Sequence, residues 1–366
     1  MASSSSKLSV TSSNLFSNNT TAFFSIPSLQ ELVVVHIINQ YDNVEAITED
    51  LNAYIDIPIL KTMVVQLQTQ LNLFLGHVAA GALKQAEDLI IKANPKLLPA
   101  LLSYKGLVVD DAGRTIYGTA WQIALGAKDV SIGKHEEMVE MIARYIKQLL
   151  NGEEMLTNQY TEQFPAGYEQ QEEKQRKNDL AALEKIFYAI MQSKNDQNCE
   201  IAIKEFHDYL KKQTEGVITT GYHFNDQLFT KALKLYDNYY HQFGGYAKRK
   251  NNAAAIKVIG GIECYFTACL AQAASDGFGT IVDEKKQLSR SRLLSDGETP
   301  FFHPSLGVSH FVYNYYTGGS GPGYALWRGM TTVWLSYFKQ KRQACSAIQS
   351  HYAGISTVFL GRRRGE

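Results

Sequence analysis

The chain has 366 residues, 45% of them hydrophobic, which is enough for a substantial core arranged as two domains or as one extended helical array. Lys plus Arg equals Asp plus Glu, 36 of each, so no global field recruits nucleic acid or an acidic membrane surface. The four cysteines, Cys199, Cys264, Cys269 and Cys345, show neither a C-x-x-C pair nor a repeated spacing, so reduced thiols are expected and no metal site or cofactor is.

Met1 to Thr21 is rich in Ser, Asn and Thr, with too few apolar residues to offset the entropy of ordering, and residues 1–27 read as a disordered leader. It lacks the continuous apolar run of a secretory signal, and the run Leu32 to Ile38 is too short to span a bilayer, so a soluble protein is expected. Further on, Leu51, Tyr54 and Ile55, then Ile59, Met63, Leu67, Leu71 and Leu75, keep a spacing of three to four. Pro58 divides them into two helices.

In the stretch 76–150, Leu83, Ala86, Leu89 and Ile90 recur on one helical face, and Asn94-Pro95 ends that helix. Asp110-Asp111-Ala112-Gly113-Arg114-Thr115 has the composition of a chain reversal. It is followed by a short helix of small residues, Thr119 to Leu125, and a longer apolar one, Glu137 to Ile146. Helix, turn, helix and helix in this order resemble an ankyrin repeat, with Asp110, Gly113 and Thr115 matching its D-x-x-G-x-T turn. Ala120 and Gln122 stand where that repeat has proline and histidine, and Ile116-Tyr117-Gly118 looks inserted. The wording of residues 94–129 is similar to the degenerate ankyrin-like module of Legionella and Coxiella proteins, many of them candidate effectors delivered into host cells.

That resemblance implies binding to a protein partner, a eukaryotic host protein reached from the bacterial cytoplasm, through the exposed turn. Asp110, Asp111, Arg114 and Tyr117 would make the contact, Gly113 would enable the reversal, and Trp121 would be buried behind it. The leader helices of residues 28–75 would cap the module, giving a unit that spans 28–150.

Residues 151–178 are dense in Gln, Glu, Lys and Arg and read as a polar connector, and residues 179–366 as a larger helical domain. In that domain Leu180, Leu183, Phe187 and Ile190 share a helical face, as do Ile201, Phe206, Tyr209 and Leu210. Asn225 suits the N-cap of a tyrosine-rich helix that Gly244-Gly245 ends. Ala255 to Ser275 reads as one long apolar helix, in which Cys264 and Cys269 are small buried residues.

An enzyme in this domain, a hydrolase or transferase, is the alternative to protein recognition; it would need Cys264 or one of His207, His223, His241, His303 and His310 beside a partner group. The glycine run 318–323 has no Lys-Ser/Thr sequel and reads as a connector, and Arg362-Arg363-Arg364 as a solvated end. The expected fold is all-α: ankyrin-like helical hairpins followed by a larger helical domain.

Overall fold

A computed structural model describes residues 58–95, 97–194, 196–244, 248–290 and 323–362. The expectations for the leader 1–27, the helix before Pro58, His303, His310, the glycine run up to 322 and the last two arginines lie outside the described residues.

Among the described residues the chain is predominantly helical with one small three-stranded sheet, the all-α class that the periodicity predicts. No helix among them is long and apolar enough to cross a membrane.

Helix α1 (Pro58–Ala79) begins on a proline, which suits a first helical turn, and buries Leu67, Leu71, Phe74, Leu75 and Val78. Gly81, at φ +64°, turns the chain into α2 (Leu83–Lys92), which buries Ala86 and Ile90. After α3 (Leu98–Ser103), the strands β1 (Gly106–Val109) and β2 (Thr115–Gly118) pair antiparallel, with Leu107 opposite Tyr117 and Val109 opposite Thr115. Helices α4 (Ala120–Gly126), α5 (Met138–Ile146) and α6 (Gly152–Gln163) complete the first half. A capping box holds the start of α4: Gln122 N donates to Thr119 Oγ1 and Thr119 N to Gln122 Oε1.

The second half contains α7 (Tyr168–Gln192), α8 (Asp196–Lys212), the two-residue strand β3 (Val217–Ile218) and α9 (Asp226–Tyr239). Asn225 caps α9, its side chain accepting from Gln227 N. The expected long helix from Ala255 to Ser275 is instead broken. A short α10 (Arg249–Asn252) leads into a π-helical turn over Ala253–Ile259, then α11 (Gly260–Glu263), and only after a kink do α12 (Ala268–Asp276) and α13 (Phe278–Val282) follow. The glycine pair 260–261 weakens helical propensity there and lets another side chain come close: a Cβ on Gly261 would lie 2.7 Å from His207 Nε2.

Two apolar clusters result, one built on residues 64–160 and one on residues 183–338. The long helix α14 (Gly323–Arg362) serves both, since Trp334, Tyr337 and Phe338 belong to the second cluster and Cys345 and Tyr352 to the first. β3 also crosses between the halves, pairing parallel with β2 so that Val217 lies beside Thr115. The polar run 151–178 is largely helical: α6 buries Leu156 and Tyr160 in the first cluster, and α7 runs on past residue 178.

Candidate functional site

The hairpin of β1 and β2 contains the four residues that the sequence nominates for binding, and its two sides have different fates. Asp110 organises the reversal, its Oδ1 accepting from the backbone N–H of Ala112 at 3.1 Å and of Arg114 at 2.9 Å. Gly113 supplies the left-handed conformation, φ +83°, that the turn requires.

Arg114, however, does not face solvent: the residue is 2% exposed. Its Nε donates to Asp110 Oδ2 at 2.8 Å, one Nη1 serves the carbonyls of His223 and Tyr265 at 2.8 Å each, and Nη2 donates to the carbonyl of Phe266 at 3.3 Å. The kink between α11 and α12 explains this geometry. The carbonyls of Tyr265 and Phe266 lie in the link between the two helices, outside either ladder, and buried carbonyls of that kind need a donor, which Arg114 supplies. The expectation that Asp110 and Arg114 contact a partner is therefore corrected: both are buried and spent on joining the two halves. Asp111 and Tyr117 are half-buried, and Trp121 is fully buried, as expected.

Beside Arg114 the loop between α4 and α5 makes the rest of the seam. Lys128, at φ +57°, pairs with Asp226, which Arg342 also reaches at 2.9 Å. Asp129 is held by a two-pronged contact with Arg290, 2.6 Å on each oxygen, and Arg290 pairs with Glu137 as well. Lys341 donates to the carbonyl of Val130 at 2.6 Å. The backbone N–H of His223 donates to the carbonyl of Gly126 at 2.8 Å, and the Thr267 hydroxyl to that of Ala127 at 3.0 Å. Little in the sequence signals this seam, because most of its partners come from segments about a hundred or more residues apart.

The other side of the sheet is open. Cross-strand partners share a face, so Leu107 stands with Tyr117, and Val109 with Thr115 and Val217. Leu107, Val109 and Val217 are 57%, 63% and 52% exposed. The opposite face turns Ile116 into the first core.

Of the residues nominated for catalysis, Cys264, Cys269, His207 and His223 can be placed in detail. Burial pushes the Cys264 thiol up to about 12 and the Cys269 thiol up to about 11, and Cys269 Sγ donates to the carbonyl of Ala127 at 3.3 Å. His207 Nε2 lies 2.6 Å from the carbonyl of Lys257, and the His223 ring is packed against Gly126. His223 is held neutral, its pKa lowered to about 3 by burial and then by Arg114. No hydrogen bond joins either ring to a cysteine among the described residues. One group escaped the sequence reading: Glu263, 1% exposed, has no hydrogen-bond partner for either carboxyl oxygen among the described residues, and burial lifts its pKa to about 8.

Comparison of the chain with family models, with curated proteins and with solved structures finds no match in any of the three.

Proposed function

We propose that the protein recognises another protein through the outer face of the three-stranded sheet. The observation that carries this reading is the row of Leu107, Val109, Tyr117 and Val217 on adjacent strands, three of them more than half exposed. Within the three strands that face has no charged residue, so its complement is an apolar patch on the partner. The seam beneath it supplies rigidity, which limits the entropy lost on binding. A host-cell partner, reached by delivery from a bacterium, is what the ankyrin-like wording of residues 94–129 adds; it rests on sequence resemblance alone.

A photo-crosslinking residue placed at Leu107 should trap a discrete partner from host-cell lysate, whereas the same residue at the exposed Ile201 should not. The joint substitution Leu107→Ser with Tyr117→Ala should abolish the crosslink-independent capture of that partner. Capture by this variant equal to the parent's would sink the reading.

A further inference from the structure

β1 is an edge strand, since the sheet order is β1-β2-β3 and among the described residues only β2 pairs with it. In an antiparallel pair, residues whose backbone groups face the partner strand alternate with residues whose groups face away. The turn fixes which are which. Asp110 N donates to the carbonyl of Arg114 at 3.0 Å, so these two residues close the ladder as a hydrogen-bonded pair. Counting back along the register, Val108 with Ile116 and Gly106 with Gly118 face each other in the same way, whereas Leu107 with Tyr117 and Val109 with Thr115 do not. The N–H and C=O of Leu107 and Val109 therefore point out from the free edge, and among the described residues none of these four groups has a hydrogen-bond partner.

The strand is held from behind. Gly106 is buried against α1, where a Cβ would come within 2.8 Å of Leu75 Cδ1, and Val108 packs on the first core. Of the devices that keep natural edges from pairing, charge and proline are both absent from Gly106–Val109. β3, at the other edge, has only two residues.

Outward donors and acceptors on alternate residues are the complement of an extended backbone. A second copy pairing edge to edge would also use them, but it would only prolong the sheet and leave the outer face of both copies uncovered. We infer that the partner presents an extended segment that adds to β1 as a fourth strand, with its alternate apolar side chains beside Leu107 and Val109 on the outer face. This deepens the protein-recognition reading and rests on it: main-chain bonds to the edge hold the segment, and the apolar row selects it.

The test is an NMR titration of the full ¹⁵N-labelled chain with the peptide acetyl-Lys-Thr-Val-Thr-Val-Thr-Lys-amide, which as a strand has both valines on one face. At millimolar peptide the amide signals of Leu107 and Val109 should shift and saturate and their hydrogen exchange should slow, while exchange at Val108, already in the ladder, should not change. The same peptide N-methylated at every residue between its lysines keeps the side chains without the donors, and should bind about tenfold or more weakly. Val109→Pro removes one outward donor where an edge tolerates proline, and should weaken binding of the unmethylated peptide about fivefold. If that variant does not fold, the methylated peptide on the parent chain decides the matter. No saturable shift, unaltered exchange at Leu107 and Val109, or equal binding of the methylated peptide would overturn the inference, the last leaving only the apolar contact of the outer face. A dimer in sedimentation that Val109→Pro dissolves would overturn it too, giving the edge to a second copy. Failure of the reading beneath it is a different result: capture of the partner then survives Leu107→Ser with Tyr117→Ala, which leaves every backbone group in place.

Discussion

Two buried ionisable groups, Arg114 and Glu263, are handled in opposite ways. Arg114 reaches the carbonyls of Tyr265 and Phe266 and is matched by Asp110, while Glu263, two residues before Tyr265, is buried with neither oxygen paired among the described residues. In the seam, ions come in matched sets: Arg114 with Asp110, Arg290 with Asp129 and Glu137, Lys128 and Arg342 with Asp226. In the second core a lone carboxyl meets the same low-dielectric surroundings by keeping its proton. The difference separates the mutational signatures of the two places. Removing one partner of a matched set strands the other's charge, whereas the cost of a lone acid rises steeply as it ionises.

Arg114→Ala should therefore show the largest effect, a loss of roughly 3–5 kcal/mol, since it strands Asp110 and uncovers three buried carbonyls. Arg114→Lys should recover little of it, because one ammonium cannot reproduce a planar fork that serves a carboxylate and three carbonyls. Chemical denaturation of both variants measures this. Parent-like stability in Arg114→Ala would show the seam to be incidental.

Glu263 should give a pH-dependent signature instead. Its folded pKa, about 8, lies above the unfolded value of 4.5, so the folded state holds the proton more tightly. Its contribution is complete below pH 4.5 and is lost as pH rises through 8. The full shift would carry roughly 5 kcal/mol, and relaxation of the core around the ionised group leaves a few kcal/mol of that. Glu263→Gln should flatten the decline between these limits when denaturation midpoints are compared across pH. An identical slope in parent and variant would mean that the carboxyl finds a partner when charged.

These two residues also show where sequence reading stops. Trp121 and Gly113 were legible because burial of a large ring on a helical face and a left-handed turn position are local properties. Arg114 was not. An Asp-rich, Gly-containing turn has the composition of an exposed loop, and only the approach of residues 223, 265 and 266 makes it an interior. The strands were missed because four residues each, Gly106–Val109 and Thr115–Gly118, are too short for alternation to stand out from chance. The long helix over Ala255–Ser275 failed for a related reason: its apolar period continues through the kink, while the carbonyls freed there are satisfied from another part of the chain. Of the candidate binding face, Tyr117 was readable; Leu107, Val109 and Val217 join it only through strand pairing.

A smaller effect tests the other contact of the seam. A Cβ on Gly126 would lie 2.2 Å from His223 Nε2, so Gly126→Ala should displace the ring and cost about 1–3 kcal/mol. His223 also sets an acid limit. Its folded pKa, about 3, lies below the ordinary 6.5, so its contribution is present above pH 6.5 and is lost as pH falls toward 3. In Gly126→Ala the displaced imidazole gains water, so its pKa, read from the ring carbon protons by NMR, should rise toward the ordinary value. A ring still neutral at pH 5 in the variant would show that burial does not depend on this contact.

The smallest stability effect is expected where the loss of binding should be greatest. Leu107→Ser with Val109→Ser removes two side chains that are already more than half in water, so little buried apolar area is lost and the folded state should change by only about 0.5 kcal/mol. The same change removes half of the apolar row on the outer face of the sheet, and should weaken partner binding by on the order of 1–4 kcal/mol if that row holds the interface. The two measurements pull apart only if the sheet's faces are divided as the structure has them. Unfolding at a markedly lower denaturant concentration would place Leu107 and Val109 in a core, and unchanged binding would leave the outer face without a part in recognition.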